Sequence, residues 1–240
     1  MRRGQSEMPF LDHLEELRWR IIKSLLAVVL GATLIFLYID PIFKILLAPA
    51  TNLEHPPNLQ VLKVHGMFMI KWGIAFVGGL ILGIPVITYQ FWKFVAPGLL
   101  ENERRYAFPV ILFSFLFFVI GVLFAYFIVI PFSLNFFTGM GYVDVANNFS
   151  INYYFSYILW ILFAAGMLFE LPVIVLILSI IGILTPAFMR NYRRHSVVTI
   201  LILSALLTPP DPVSLMMMSV PLMILYEISI GISHIFGKKY

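Results

Sequence analysis

Long uncharged stretches alternate with short charged segments along the chain. The stretch from Trp72 to Trp92 contains no charged residue, and neither does the stretch from Tyr106 to Val143. Each is longer than the ~20 predominantly apolar residues that a membrane-spanning helix requires. We therefore predict an all-α polytopic membrane protein with a single membrane domain over residues 1–240. Its six predicted transmembrane helices lie near residues 21–39, 67–92, 109–131, 154–182, 196–208 and 213–235.

The composition agrees with a membrane protein and excludes several kinds of chemistry. The chain has 240 residues, of which 61% are hydrophobic and 12% charged, so it cannot build a water-soluble surface. It has no cysteine, which excludes disulfides and thiol chemistry. It contains no His-Glu-x-x-His, Gly-x-Ser-x-Gly or Gly-x-x-x-x-Gly-Lys motif, and its five histidines show no metal-ligand spacing. We expect neither an enzyme nor a bound cofactor or metal.

The positive charges predict the orientation in the membrane. Cytoplasmic segments beside membrane spans carry an excess of Lys and Arg. An even number of spans would put both termini on that same side, so we predict a multi-pass protein of the cytoplasmic (inner) membrane with both termini in the cytoplasm. Of the 16 Lys and Arg residues, 13 fall in four segments on the predicted cytoplasmic side, namely Arg2–Lys23, Lys93–Arg105, Arg190–Arg194 and Lys238–Lys239.

The last two spans are predicted to be short. Between Arg194 and the proline-rich turn at 209–212 there is room for roughly 14 residues, or ~20 Å of helix, against a hydrocarbon core of ~30 Å. The sixth span runs about as far from Val213 before it meets Glu227. In an alternative interpretation, the fifth helix is longer and continues back through Tyr192.

Prolines interrupt three of the other predicted helices. Pro85, Pro172 and Pro221 each remove a backbone donor and are expected to bend their helices. Bent helices can enclose a concave surface instead of a tight bundle. We therefore expect the spans to form such a surface.

Acidic residues in or beside the apolar stretches are candidate functional residues. Glu170 interrupts a long uncharged run, and a charge at a helix centre costs ~2.5–3.5 kcal/mol on insertion scales. A functional role is therefore the first hypothesis, and a neutral Glu hydrogen-bonded to a neighbouring helix is the alternative. Glu227 is a weaker candidate of the same kind, because it could lie near the cytoplasmic interface. Asp211 could shape a turn or cap the last helix.

Two further acids lie among the cytoplasmic cations. Glu16 belongs to an amphipathic helical segment that leads into the first span. It could simply pair with Arg20 four residues on, which is worth a few tenths of a kcal/mol. Glu103 lies in the next cytoplasmic loop and could be a solvated loop charge. A basic face that retains such acids could instead bind a cationic ligand.

Several strings along the chain carry a resemblance to one family. They occur in the order Phe10–Arg18 (FLDHLEELR), Phe94–Leu99 with Glu103–Arg105, Gly121–Phe127, Phe169–Val173 and Leu207–Asp211. Together they resemble the signature segments of the TatC family, the multispanning receptor of twin-arginine protein translocation. The resemblance covers nearly the whole chain.

The resemblance implies a binding site for the Arg-Arg motif of signal peptides, at the cytoplasmic face and with folded cargo attached. It assigns the two carboxylates to Glu16 and Glu103, and it adds Arg18, Phe94 and Arg105 to the predicted signal-peptide site. A guanidinium presents a planar fork that a carboxylate can accept through two hydrogen bonds, which Lys cannot reproduce. Two arginines therefore require two acids.

The resemblance also implies partners. Single-span subunits of the TatA/TatB type would bind around the short fifth and sixth spans and the Glu170 region, and the receptor would self-associate. Asp211 and Pro49 are predicted to serve partner binding on the periplasmic side, and Glu170 and Glu227 to be functional polar residues within the membrane. Transport would be driven by the proton-motive force, with no nucleotide and no nucleic acid.

A proton-coupled small-molecule secondary transporter is the alternative function. It would explain Glu170 and the bent spans, and it would require an enclosed solute site at the midplane between structural repeats. The internal similarity is short: Gly83–Ile87 resembles Glu170–Ile174, and Pro97 and Pro186 each precede an Arg pair by seven residues. This weak repeat argues against a transporter.

Overall fold

The computed structural model describes residues 10–53, 56–96, 107–140, 148–208 and 211–236, with side chains from residue 12 onward. The described helices are α1 Phe10–Leu37, α2 Ile39–Thr51, α3 Gly66–Val95, α4 Ala107–Phe124, α5 Ile130–Gly139, α6 Ile151–Phe169, α7 Leu171–Ile181, α8 Pro186–Asn191, α9 Arg193–Leu207 and α10 Pro212–Phe236. A π-helical turn at Ala125–Val129 connects α4 to α5. Two short strands complete the fold, β1 Asn58–Gln60 and β2 Asn148–Ser150.

The helices agree with the predicted membrane architecture. Five segments of the described chain are long and apolar enough to cross a membrane, by length and composition: Asp12–Leu37, Gly66–Val95, Ala107–Gly139, Ile151–Ile181 and Pro212–Phe236. The predicted fifth span is α9, which has 15 residues. At 1.5 Å per residue it is ~22 Å long, shorter than the ~30 Å hydrocarbon core. A turn at Tyr192 separates it from α8, so the short fifth helix is confirmed and the longer alternative is wrong.

The sixth helix has nearly the predicted bounds of 213–235, but it is not short. Helix α10 has 25 residues and continues past Glu227 to Phe236. The exposed side chain of Glu227 pairs with Arg193 of α9. The prediction of a short sixth span is therefore wrong, and only α9 is short.

The three prolines occupy two kinds of position. Pro85 and Pro221 lie inside α3 and α10, which continue through them. Pro172 instead follows a break at Glu170, where α6 ends and α7 begins. The Glu170 N–H bonds to the Met167 carbonyl three residues back, at 3.2 Å. The predicted fourth span is therefore two helices joined at Glu170.

The two strands form a small parallel sheet, which the all-helical prediction did not include. Asn58, Leu59 and Gln60 pair with Asn148, Phe149 and Ser150. β1 lies between the first and second predicted spans, and β2 between the third and fourth. Their pairing puts these two loops on the same side of the helices, as the alternation of spans requires.

Burial is uneven across the helices. Within the apolar stretch of 18 residues that qualifies each span, 56% of the residues are buried for Ile151–Ile181 but only 6% for Asp12–Leu37. Helix α1 packs closely against α3, where a Cβ on Gly79 would lie 2.5 Å from the Ala32 nitrogen. This close approach requires glycine at position 79. It also holds the amino-terminal part of α1 beside the last turns of α3.

Candidate functional site

The beginning of α1 and the end of α3 form a small cluster at the predicted cytoplasmic face. The ring of His13 stacks on the ring of Phe94, with 4.3 Å between centroids and 15° between planes. Both rings are partly buried. The structure thus places Phe94, a predicted residue of the signal-peptide site, against the α1 signature segment.

A carboxylate and a guanidinium lie next to the stacked rings. Arg20 donates two N–H groups to Oε1 of Glu16, from Nε at 3.0 Å and from Nη2 at closer range. Its Nη1 also faces Oε1 of Gln90 on α3, at 3.5 Å. Oε2 of Glu16 accepts no hydrogen bond from the described residues and lies 3.7 Å from Nδ1 of His13. The site thus presents a half-buried carboxylate that already binds a guanidinium.

The other predicted residues of this site are divided between exposed positions and undescribed ones. Arg18 and Glu15 are exposed on α1. Glu103 and Arg105 lie outside the described residues, so the convergence of Glu16 and Glu103 stays a prediction.

Glu170 is the centre of a second polar cluster, among the spans. Ser114 of α4 donates a hydrogen bond to Oε1 of Glu170 at 2.6 Å. The hydroxyls of Ser114 and Thr88 are 2.8 Å apart, so Thr88 of α3 donates to Ser114 when Ser114 donates to Glu170. Residues from three spans are connected in this way. No Lys, Arg or His of the described chain pairs with Glu170.

Glu227 and Asp211 have different surroundings. Oε2 of Glu227 lies 2.6 Å from Nη2 of Arg193, and both side chains are about half exposed. Arg193 belongs to the predicted cytoplasmic cations, so this pair places Glu227 in the half of α10 that faces the predicted cytoplasmic side. Asp211 is 4% exposed, and its Oδ1 accepts the Ser214 N–H at 2.6 Å. Asp211 therefore caps α10, as one of the interpretations of the sequence predicted.

Pro49 lies on the opposite side of the protein from Glu16. It is buried in α2 and lines a cavity of about 530 Å³. The Tyr126 hydroxyl, at the π-helical turn, donates to the Ile45 carbonyl at 2.7 Å and fixes α2 against this turn. The cavity is lined by Ala48, Pro49, Asn52, Leu53, Tyr126, Phe127, Pro131 and Asn135.

Comparison with known proteins identifies the family. The family model for the Sec-independent protein translocase protein (TatC) matches residues 12–221. The chain belongs to the TatC family. The TatC protein of Desulforapulum autotrophicum is 35% identical over 240 residues, covering 100% of this chain and 89% of the relative. The TatC protein of Aquifex aeolicus is 35% identical, with 97% of each chain covered.

Solved structures agree with this family. The chain is similar to a crystal structure of the twin-arginine translocase receptor TatC, with a TM-score of 0.80 at 35% identity, over 93% of this chain and 99% of the other. A structure of the same receptor in DDM gives a TM-score of 0.82 at 35% identity, over 95% and 100%. The predicted all-α polytopic membrane fold is thereby confirmed. TatC is a non-enzymatic translocase component, which confirms that the chain is not an enzyme.

Sequence reasoning missed several residues of both clusters. Gln90, Thr88 and Ser114 are uncharged polar residues inside apolar runs, where single hydroxyls and amides are a weak signal. Arg20 was considered only as the helical partner of Glu16. Among the described residues no group of His, Cys, Asp and Glu could hold a metal ion.

Proposed function

We propose that this chain is the cytoplasmic-face receptor for signal peptides with an Arg-Arg motif, in a translocase that exports folded proteins across the inner membrane and uses the proton-motive force. Membership of the TatC family supports this proposal, as does the similarity to solved twin-arginine translocase receptors. Glu16 and Glu103 would each accept one arginine of the motif. Phe94 and the exposed Arg18 would border the site, together with Arg105.

The observation that carries the proposal is the guanidinium at Glu16. This carboxylate, 22% exposed, receives two N–H groups from an arginine beside a stacked aromatic pair. A site that accepts an arginine of its own chain has the geometry to accept an arginine of a ligand. Partial burial strengthens the interaction relative to a fully solvated pair.

Partner binding belongs to the same proposal. Single-span subunits of the TatA/TatB type would pack along the short α9 and the neighbouring α10, near Glu170. On the outer side they would contact the region of Asp211 and Pro49. The chain would also self-associate in the receptor complex. The short α9 supports this assignment, because a 15-residue helix exposes neighbouring spans where the bilayer must thin.

The direct test is capture of the detergent-solubilised chain on immobilised signal peptides. A peptide with the Arg-Arg motif should retain the protein, and the same peptide with Lys-Lys should retain less, because Lys presents a point charge and not a planar fork. Equal retention by both peptides would contradict the proposed receptor function.

The orientation is tested by cysteine labelling, since the chain has no native cysteine. A single cysteine at Asn102 or Asn191 should react with impermeant reagents only from the cytoplasmic side. A single cysteine at Asn58 or Asn147 should react only from outside. Labelling of positions 102 and 147 from the same side would contradict the six-span topology.

A further inference from the structure

The Glu16 site already contains the chemical group that its proposed ligand would bring. The two N–H groups that Arg20 donates to Glu16 go to one oxygen, Oε1. Arg20 is 16% exposed and Glu16 22%, so neither group is freely solvated. A ligand guanidinium cannot occupy the same place on Oε1 at the same time. Binding therefore requires Arg20 to move or to share the carboxylate.

A second acceptor is available for Arg20 beside the first. Oε1 of Gln90 lies 3.5 Å from Nη1 of Arg20, on the neighbouring helix α3. This contact is long for a hydrogen bond and would shorten if the guanidinium turned away from Glu16. Gln90 is neutral, so it can hold the displaced arginine without a second ion pair. Arg20 thus has two alternative partners within reach.

We infer that Arg20 is an internal competitor, which occupies the ligand's place on Glu16 in the free receptor and moves to Gln90 when an arginine of the signal peptide binds. This inference rests on the proposed receptor function. The exchange avoids leaving the half-buried Glu16 carboxylate without a cation, which would be costly. The carboxylate exchanges one guanidinium for another and is not left unpaired.

The competition predicts a particular pattern of affinities. When only a fraction of the receptor is free to bind, the apparent dissociation constant of every ligand at that site is raised by the same factor. Removal of Arg20 should therefore strengthen binding of Arg-Arg and Lys-Lys peptides equally. A residue that contacts the ligand directly would instead change the ratio of the two affinities.

The experiment compares Arg20→Gln with Lys23→Gln in the detergent-solubilised full chain. Lys23 is exposed on α1, so its substitution removes the same charge without touching Glu16. Relative to Lys23→Gln, we expect Arg20→Gln to bind both peptides about fivefold more tightly, the scale of one partly exposed ion pair. Arg20→Lys should give an intermediate increase, and it retains the charge if the Gln variant unfolds.

Gln90→Leu tests the second position of Arg20. In the wild-type background this variant should weaken Arg-Arg binding several-fold, because the displaced arginine loses its acceptor. In the Arg20→Gln background it should have no effect. A Gln90 effect that persists without Arg20 would show direct ligand contact and would overturn the exchange.

The outcomes separate this inference from the proposed function. If the wild-type chain binds no Arg-Arg peptide, the receptor function fails and the inference fails with it. If the wild type binds the peptide through Glu16, two results overturn the inference alone. One is an affinity of Arg20→Gln no greater than that of Lys23→Gln, and the other is a change in the Arg-Arg to Lys-Lys ratio.

Discussion

Glu16 and Glu170 are both partly buried carboxylates, but their partners differ. Glu16 faces Arg20 and His13, and Arg20 in turn reaches Gln90 on the neighbouring helix. Among the described residues Glu170 bonds through its side chain to the hydroxyl of Ser114, which is linked to Thr88 of a third span. One carboxylate has a cation as partner and the other has a chain of neutral hydrogen bonds.

This difference indicates two different roles. A carboxylate that is compensated by a cation at a half-exposed position can exchange that cation for one from a ligand. The Glu170 carboxylate accepts a hydrogen bond from Ser114, which in turn accepts one from Thr88, so it connects three spans at a helix break. Its removal leaves the Ser114 hydroxyl without this acceptor. We therefore expect changes at Glu16 to affect recognition and changes at Glu170 to affect the assembled translocase.

The largest effect is expected from a positive charge at Glu170. Glu170→Lys should abolish transport, because a Lys within a span costs ~2.5–3.5 kcal/mol on insertion scales and cannot accept the Ser114 hydrogen bond. Glu170→Ala should impair transport or partner assembly more than signal-peptide binding. Glu170→Gln should fold normally, since it keeps the shape and an acceptor. Transport into vesicles and peptide binding should be measured on the same preparations.

Ser114→Ala is the matched control for Glu170. It removes the donor but keeps the carboxyl group, so a smaller transport defect than that of Glu170→Ala would assign the function to the acid itself. Transport at the wild-type rate in Glu170→Ala would leave Glu170 with a packing role only.

The next largest effect is expected at the peptide site. Glu16→Ala and Glu103→Ala should each weaken binding of an Arg-Arg peptide by ~1.5–3 kcal/mol, the scale of hydrogen bonds to charged groups. Screening by solvent makes the effect smaller where the site is exposed. The preference for Arg-Arg over Lys-Lys should shrink in both variants. Added salt should also weaken binding, because exposed charges are screened beyond ~8–10 Å at physiological ionic strength.

Glu15→Ala is the control for the peptide site, because Glu15 is exposed one residue away on the same helix. It should weaken binding less than Glu16→Ala. Unchanged Arg-Arg affinity in both the Glu16 and the Glu103 variants would remove these residues from the mechanism.

The comparison also shows what the sequence could predict. Apolar length and the positions of charged residues predicted the membrane class and the short α9, because these depend on composition along the chain. The spacing of Glu16 and Arg20 allowed their ion pair to be predicted, since residues four apart lie on one face of a helix. The contact of His13 with Phe94 was not predicted, because the family resemblance only placed Phe94 in the signal-peptide site.

Contacts between distant spans could not be predicted. Nothing along the sequence indicates that Ser114 and Thr88 lie beside Glu170, because this depends on how three helices pack. The length of α10 was misjudged for a similar reason. Glu227 was taken as the limit of the apolar run, but its side chain pairs with Arg193 on another helix, and the sequence does not indicate this pair.

A smaller effect is expected at Asp211, whose role is local. Asp211→Ala removes the acceptor for the Ser214 N–H at the start of α10 and should lower the free energy of unfolding by ~0.5–2 kcal/mol, as for other helix caps. Asp211→Asn keeps an acceptor and should lower the free energy of unfolding by less. Thermal unfolding in detergent measures both. If the Asn variant loses transport while its stability is unchanged, Asp211 has a role in partner binding beyond the cap.

The smallest effect is expected at Glu227, the third acid in this series. Its pair with Arg193 is short, at 2.6 Å, but both side chains are about half exposed. Exposed ion pairs contribute ~0–1 kcal/mol, because water screens the charges and two long side chains lose freedom. Glu227→Gln should therefore change thermal stability little, and the change should vanish at high salt. A loss of transport in this variant with stability intact would mean that the ion pair between Arg193 and Glu227 acts in the translocation cycle. It would also mean that the exposure of an acid does not by itself show whether the acid is functional.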